Sequence, residues 1–107
     1  MATKTPGAPR TFDEFSETYP KLREAWDLLG DAGKEGPLDE KTARLVKLAV
    51  NIGAMREGGV HSAVRKARKA GATEEEMRQV IALAASTIGM PSTVAVWTWV
   101  RDVDKKV

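Results

Sequence analysis

The sequence predicts an all-α fold, and three observations agree on it. Apolar residues recur every three or four positions through most of the chain. Glycine and proline separate these segments at short intervals, and alternating strand patterns joined by turn pairs are absent. We therefore expect a single domain of five to six helices over residues 11–107, with residues 1–10 as a disordered lead.

The first two helices are predicted from their boundaries. Thr11 and Glu14 have the spacing of a capping box, which predicts a helix start at Thr11. Tyr19 precedes a proline and should interrupt this helix, because proline disfavours α geometry in the residue before it. A second helix is expected from Pro20 to about Leu29. The residues after it predict a loop: Gly30, Gly33, Gly36 and Pro37.

The two central helices are predicted from apolar periodicity. The first should start at Asp39 and end at Gly58-Gly59, with an apolar face formed by Leu45, Leu48, Ala49, Ile52 and Met55. A shorter helix is expected from Val60 to Ala70, and its apolar face comprises Val60, Val64 and Ala67. Gly71 should end this helix as a left-handed cap.

The last two helices carry the clearest local signals. Thr73 and Glu76 form a second capping box, and the helix after it carries Met77, Val80, Ile81, Ala84 and Ile88. Pro91 suits the first turn of a final helix that carries Val94, Trp97, Val100 and Val103. Trp97 and Trp99 fall on nearly opposite sides of this helix. Only one of them can pack inside its own chain, so the other is expected in a contact between chains.

Composition excludes several kinds of site. The chain has 17 Lys and Arg against 15 Asp and Glu, and a net charge of +2 is too small to indicate a nucleic-acid or membrane partner. The absence of cysteine excludes thiolate nucleophiles and cysteine-bound metals. A single histidine excludes an all-histidine metal cage within one chain. No run of apolar residues is long enough to span a membrane, and no apolar signal core is present, which predicts a cytoplasmic protein.

Four ordered blocks of sequence resemble the carboxymuconolactone decarboxylase-like family. They are Glu57-Gly58-Gly59-Val60-His61-Ser62, Arg65-Lys66-Ala67, Gly71-Ala72-Thr73-Glu74-Glu75-Glu76 and Ile88-Gly89-Met90-Pro91. The segment from Leu38 to Met55 is similar to the family's preceding helix. The resemblance implies an alkylhydroperoxidase D-like helical bundle that assembles into a homo-oligomer, a trimer or a hexamer, with pockets near the contacts between subunits.

The sequence departs from that family at two places. The peroxidase branch has a Cys-x-x-Cys pair and a later histidine, and those positions correspond to Arg56, Gly59 and Ala63. None matches, so thiol peroxidase chemistry is excluded. A thiol-free branch has His-Ser-His where this chain has His61-Ser62-Ala63, so one histidine is missing. The resemblance therefore carries over only Glu57 and His61 as functional residues.

The chemistry of these residues suits general acid/base catalysis without a cofactor. If the intervening backbone is helical, Glu57 and His61 share one face, and a carboxylate beside an imidazole orients it for proton transfer. Arg56 is the candidate substrate-binding residue, because its guanidinium matches a carboxylate. Two other interpretations stay open. The pair can be structural, or it can supply two ligands to a metal whose third ligand comes from another subunit; we predict no metal.

The resemblance implies a decarboxylase, a lyase that converts a carboxylated lactone to an enol lactone. We therefore predict an enzyme acting on a small organic acid or lactone, with a small-molecule ligand and without nucleic-acid or membrane partners. The alternative is a catalytically silent oligomeric scaffold or small-ligand-binding protein of the same fold. The missing histidine at Ala63 favours this alternative, whereas Glu57 and His61 favour the enzyme.

Overall fold

The computed structural model describes residues 10–105, with side chains through residue 103, and six helices form this part of the chain. They are α1 (Arg10–Thr18), α2 (Pro20–Gly33), α3 (Glu40–Gly53), α4 (Glu57–Lys69), α5 (Glu74–Ile88) and α6 (Met90–Lys105). No strand occurs among the described residues, so the all-α prediction is confirmed. Of the predicted disordered lead, residues 1–9 lie outside the described residues, and Arg10 is the first residue of α1.

The chain divides into two compact units, residues 1–37 and residues 38–107. In the first unit, α1 and α2 flank Tyr19, so the predicted interruption before proline is confirmed. The ring of Tyr19 lies 5.2 Å from that of Phe15, and the guanidinium of Arg23 lies 5.2 Å from the ring of Phe12. Neither helix contains a buried residue. Within residues 10–33, contacts of aromatic rings therefore join α1 to Tyr19 and to α2.

Two predicted boundaries in this unit are wrong. Helix α1 already includes Arg10 and Thr11, so Thr11 does not cap it, and the carboxylate of Glu14 instead pairs with Arg10 at 3.1 Å. Helix α2 continues through Gly30 to Gly33. Glycine costs only about 1 kcal/mol relative to alanine inside a helix. The helix therefore continues past Gly30 and ends at Gly33, and Gly36 in the following turn has a φ of 147° that favours glycine.

In the second unit, α3 packs on α4 and α5, and α6 packs on the same two helices. The core consists of apolar side chains from these four helices and from the connection between α4 and α5: Leu48, Ile52, Val60, Ala63, Val64, Ala67, Ala72, Met77, Ile81, Val96, Val100 and Val103. The predicted inward positions of α4 and α5 are confirmed, and Gly71 has the expected left-handed φ of 98°. None of the helices within residues 10–105 is long and apolar enough to cross a bilayer.

The inward face of α6 differs from the predicted one. Thr93, Val96, Val100 and Val103 are buried, whereas Val94 and Trp97 are 55% and 40% exposed. Val100 and Val103 belong to two apolar stripes, one that includes Val96 and one that includes Val94 and Trp97. Both stripes have helical spacing, so periodicity alone does not identify the buried one. As predicted, only one of the two tryptophans faces the core: Trp99 packs against it.

The start of α5 is stabilised by reciprocal hydrogen bonds. The hydroxyl of Thr73 accepts from the backbone amide of Glu76 at 3.0 Å, and the carboxylate of Glu76 accepts from the amide of Thr73 at 2.8 Å. The predicted second capping box is therefore confirmed. Glu76 also pairs with Lys41 of α3 at 2.9 Å, and Glu74 pairs with Arg68 of α4 at 2.8 Å. These contacts tie the beginning of α5 to both neighbouring helices.

The capping carboxylate should make stability depend on acid. The hydrogen bond from the backbone amide of Thr73, and then the hydrogen bond from the side-chain ammonium of Lys41, lower the pKa of Glu76. A carboxylate whose pKa is lower in the folded protein stabilises the fold fully at pH values above its unfolded-state pKa, which is about 4.3 for glutamate. This stabilisation is lost as the pH falls through the folded-state pKa. We expect the unfolding free energy of Glu76→Gln to decrease less steeply below about pH 5 than that of the wild type. Urea denaturation across this range measures it, with Glu75→Gln as the control; equal slopes for all three proteins would contradict the prediction.

Candidate functional site

The candidate site is at the junction between α3 and α4, where the chain reverses within three residues. The amide of Arg56 donates to the carbonyl of Asn51 at 3.1 Å, and the amide of Met55 donates to that of Ile52 at 3.0 Å. This is a Schellman arrangement, which satisfies the last carbonyls of α3. Helix α3 therefore ends before Met55, and the prediction that it ends at Gly58-Gly59 is wrong.

Met55 has the left-handed conformation that ends α3, with φ of 54°. Glycine is the usual residue at such a position, and a bulky side chain there costs on the order of 1 kcal/mol or more. Met55 is the only residue other than glycine with positive φ among the described residues. This strain directly precedes Arg56 and Glu57, the first candidate residues of the site.

Gly59 lies where α3 and α4 approach each other closely. A Cβ atom at this position would lie 2.9 Å from Cγ of Asn51, nearer still to its Oδ1, and 3.4 Å from Cβ of Arg56. The Asn51 amide is itself held, because its Nδ2 donates to the carbonyl of Lys47 at 2.9 Å. Gly58, by contrast, faces open space. The two glycines lie inside the first turn of α4, and one of them sets how closely that turn approaches α3.

Glu57 and Arg56 lie at the exposed start of α4. Arg56 is the N-cap residue and makes no side-chain capping bond, while Glu57 is the first helical residue. A carboxylate in a first turn interacts favourably with the helix dipole. Because α4 begins three residues earlier than predicted, Glu57 and His61 belong to one helix and are one turn apart.

His61 is the one buried ionisable side chain among the described residues, with 9% of its surface exposed. It lies on α4 between the core residues Val60 and Ala63. Its Nε2 atom is buried and has no hydrogen-bond partner, the only such side-chain atom in the described part of the chain. Leaving a buried polar group unpaired costs about 1–3 kcal/mol. The described part of the chain therefore supplies no hydrogen-bond partner to this nitrogen.

The structure brings Glu57 and His61 to one helix without joining them. Within residues 10–103, no hydrogen bond or ion pair links the two side chains. Ala63, at the position of the missing second histidine, is 7% exposed and belongs to the core. No group of three metal-ligating side chains occurs among the described residues. The side chains assembled here are thus one buried imidazole, an exposed carboxylate and an exposed guanidinium.

Sequence reasoning missed Asn51 and Met55. Neither residue belongs to a sequence motif. Asn51 is part of the site only because its side chain faces Gly59 where α3 and α4 meet. Met55 has a left-handed conformation that a glycine at this position would have indicated. The pair of adjacent glycines was visible in the sequence, but only the packing of the helices distinguishes Gly59 from Gly58.

Comparison with known proteins decides the family. The model of the carboxymuconolactone decarboxylase family matches residues 20–102, which is most of the chain. The chain belongs to the carboxymuconolactone decarboxylase family. This confirms the resemblance seen in the sequence and supports a carboxymuconolactone decarboxylase-like protein.

One solved structure of this family has a similar fold. The crystal structure of an apo carboxymuconolactone decarboxylase family protein from Legionella pneumophila matches with a TM-score of 0.80 and 24% sequence identity. The match covers 89% of this chain and 86% of that one. At this identity the likeness concerns the fold. Among curated proteins, no match is found.

Proposed function

We propose that this member of the carboxymuconolactone decarboxylase family is a cofactor-free lyase acting on a small organic acid or lactone by general acid/base catalysis. The observation that carries the proposal is the buried, unpaired Nε2 of His61. Unpaired buried groups are rare and costly, and they occur where a ligand completes the hydrogen bonding. A substrate group beside this nitrogen would complete it.

The proposed reaction is the loss of carbon dioxide from a carboxylated lactone. The bond between the ring carbon and the carboxylate carbon breaks, and its electron pair remains on the ring as a dienolate. His61 in its protonated form then transfers a proton from Nε2 to the ring carbon, which gives the enol lactone. Arg56 would hold an anionic group of the substrate, because its exposed guanidinium offers paired donors. Glu57 would orient the imidazole by a rotation of its side chain across one helical turn.

The second candidate function is a catalytically silent scaffold or small-ligand-binding protein. Two observations favour it: Ala63 is a core residue where a second histidine would be needed, and Glu57 does not bond to His61 in the single chain. Binding without turnover would then use the same unpaired Nε2 atom of His61. The two candidates differ in whether carbon dioxide is released.

His61→Gln tests the proposal, because glutamine keeps polar atoms but cannot transfer a proton at neutral pH. We expect it to lower carbon dioxide release from a panel of carboxylated lactones by about 100-fold or more. Ser62→Ala is the matched control from the same turn and should retain turnover. Equal turnover by His61→Gln would contradict the catalytic role. Ligand binding by the wild type without turnover would favour the silent protein.

We also propose a homo-oligomer, a trimer or a hexamer, assembled through the outer face of α6. Met90, Val94 and Trp97 follow one another at helical spacing and are 68%, 55% and 40% exposed. An apolar stripe of this kind is typical of a surface covered by another chain. A second copy is the occupant that the family resemblance implies.

The two tryptophans provide a matched pair of variants for this assembly. Trp97→Ala should weaken association while leaving the fold intact, because its ring is exposed. Trp99→Ala should lower the unfolding free energy, by about 2–4 kcal/mol, because its ring packs against the core. Sedimentation at micromolar concentration and urea denaturation separate the two effects. A monomeric wild type would refute the assembly.

A further inference from the structure

Helix α2 carries an exposed apolar stripe. Leu22, Trp26 and Leu29 follow one another at intervals of four and three residues, so they lie on one side of the helix. Tyr19 joins them at the beginning of α2, where its carbonyl accepts from the amide of Leu22 at 3.0 Å. Each of the four side chains is more than half exposed. These four residues are called the α2 stripe below.

The helices of this unit need a surface to pack against. Isolated helices shorter than about 12–15 residues are marginal in water, and most of a helix's stability in a protein comes from packing of its apolar face. Helices α1 and α2 have 9 and 14 residues, and neither contains a buried residue. The α2 stripe exposes on the order of 400 Å² of apolar surface, a patch of the size that marks an interaction site. We therefore expect this stripe to be covered by another surface.

Charge selects the kind of surface that covers the α2 stripe. Residues 10–37 contain seven acidic and four basic residues, whereas residues 38–107 contain eight acidic and twelve basic residues. The two parts of the chain thus have net charges of opposite sign. Two α2 stripes facing each other would bring like charges together, which costs free energy, whereas residues 38–107 of a second copy offer the opposite charge. The complementary occupant is therefore the larger unit of another copy.

Helix α6 provides a matching apolar stripe on that unit. Met90, Val94 and Trp97, called the α6 stripe below, are exposed at helical spacing, and Arg101 follows one turn later as an exposed cation. Together the α2 and α6 stripes expose on the order of 700 Å² of apolar surface. A stable interface buries about 1,600 Å² in total, of which rather more than half is apolar. The two stripes therefore supply most of the apolar area that one such interface needs.

We propose that the α2 stripe of one copy packs on the α6 stripe of a second copy. The inference rests on the assembly proposed through α6 and names the surface that covers it. Because the two stripes are different surfaces of the same chain, each copy binds one neighbour through α2 and another through α6. A head-to-tail contact of this kind repeats until it closes a ring, as in a trimer. A contact of α6 with α6 would instead close at a dimer.

Trp26→Ala tests the contact in the full chain, with Leu28→Ala as the matched control. Trp26 is the largest side chain of the α2 stripe, and Leu28 is an equally exposed apolar residue on another side of the same helix. In sedimentation over a concentration series, Trp26→Ala should raise the dissociation constant of the assembly about 30-fold or more, as for a buried aromatic anchor. Leu28→Ala should leave it unchanged. Alanine favours helix, so circular dichroism should show α2 retained in both variants.

Cross-linking identifies the surface that α2 meets. The chain contains no cysteine, so Leu29→Cys and Val94→Cys each place a single thiol, one on each stripe. The two variants are mixed, one of them isotopically labelled, and treated with a short reagent that joins two thiols. Mass spectrometry should show mixed pairs of Leu29→Cys with Val94→Cys in excess over pairs of like variants.

Each contrary outcome overturns the proposal. Wild-type association of Trp26→Ala, or equal weakening by Leu28→Ala, would exclude the α2 stripe and leave the proposed assembly through α6 unaffected. An excess of Leu29→Cys paired with itself would indicate contact of α2 with α2, and an excess of Val94→Cys paired with itself would indicate contact of α6 with α6. A monomeric wild type would overturn this contact together with the proposed assembly.

Discussion

Gly59→Ala should destabilise the protein, whereas the same substitution at the preceding residue, Gly58→Ala, should not. At Gly58 the added methyl group meets nothing within 4 Å, so the gain in helix propensity of up to about 1 kcal/mol is expected. At Gly59 the methyl group would overlap the amide of Asn51. Relief requires Asn51 to rotate away and to give up its bond to the carbonyl of Lys47.

The balance at Gly59 is unfavourable. Either the overlap persists, at an overpacking cost of about 1–3 kcal/mol, or Asn51 rotates away and loses a hydrogen bond worth about 1 kcal/mol, against a gain of about 1 kcal/mol from helix propensity. Because the gain in helix propensity is common to both variants, we expect Gly59→Ala to be less stable than Gly58→Ala by about 1–3 kcal/mol. Urea denaturation of both variants measures this difference directly.

A double mutant isolates the contact responsible. Removing the obstructing amide with Asn51→Ala should make Gly59→Ala harmless or stabilising, with a coupling energy of about 1–3 kcal/mol. If Gly59→Ala behaves as Gly58→Ala in the wild-type background, Asn51 moves freely and the close approach does not hold the start of α4.

Signals contained within a few residues predicted some helix boundaries but not all, since Thr11 and Glu14 have the spacing of a capping box and yet α1 already includes Thr11. The capping box of Thr73 and Glu76 is local, and so is the restriction that proline places on Tyr19; both gave correct helix boundaries. The end of α3 could not be predicted, because Met55 adopts a conformation that its side chain disfavours. The adjacent glycines Gly58 and Gly59, predicted to mark that end, lie in α4, where Gly59 faces the side chain of Asn51.

The candidate site was predictable only as a set of residue types. The spacing of Glu57 and His61 indicated a shared helical face, and the structure confirms the shared helix. Burial of the imidazole follows from how α4 packs in the core, which no local pattern encodes.

His61→Leu should stabilise the fold while removing any function of the site. Leucine has a similar volume and no polar atoms, so it eliminates the buried Nε2 that lacks a partner. The structure therefore predicts a gain of about 1–3 kcal/mol in the free energy of unfolding. A gain in stability with a loss of ligand binding is the expected result for a residue retained for function at the expense of the fold.

The same variant separates this interpretation from a structural role. Were His61 held by a hydrogen bond in the assembled protein, His61→Leu would break it and lower stability. Urea denaturation and sedimentation of His61→Leu, with Ser62→Ala as the control from the same turn, distinguish the outcomes. A less stable or dissociated His61→Leu would assign the imidazole to the assembly. A more stable variant that still forms the wild-type oligomer but no longer binds a carboxylated lactone would indicate that Nε2 of His61 binds the ligand in the wild type.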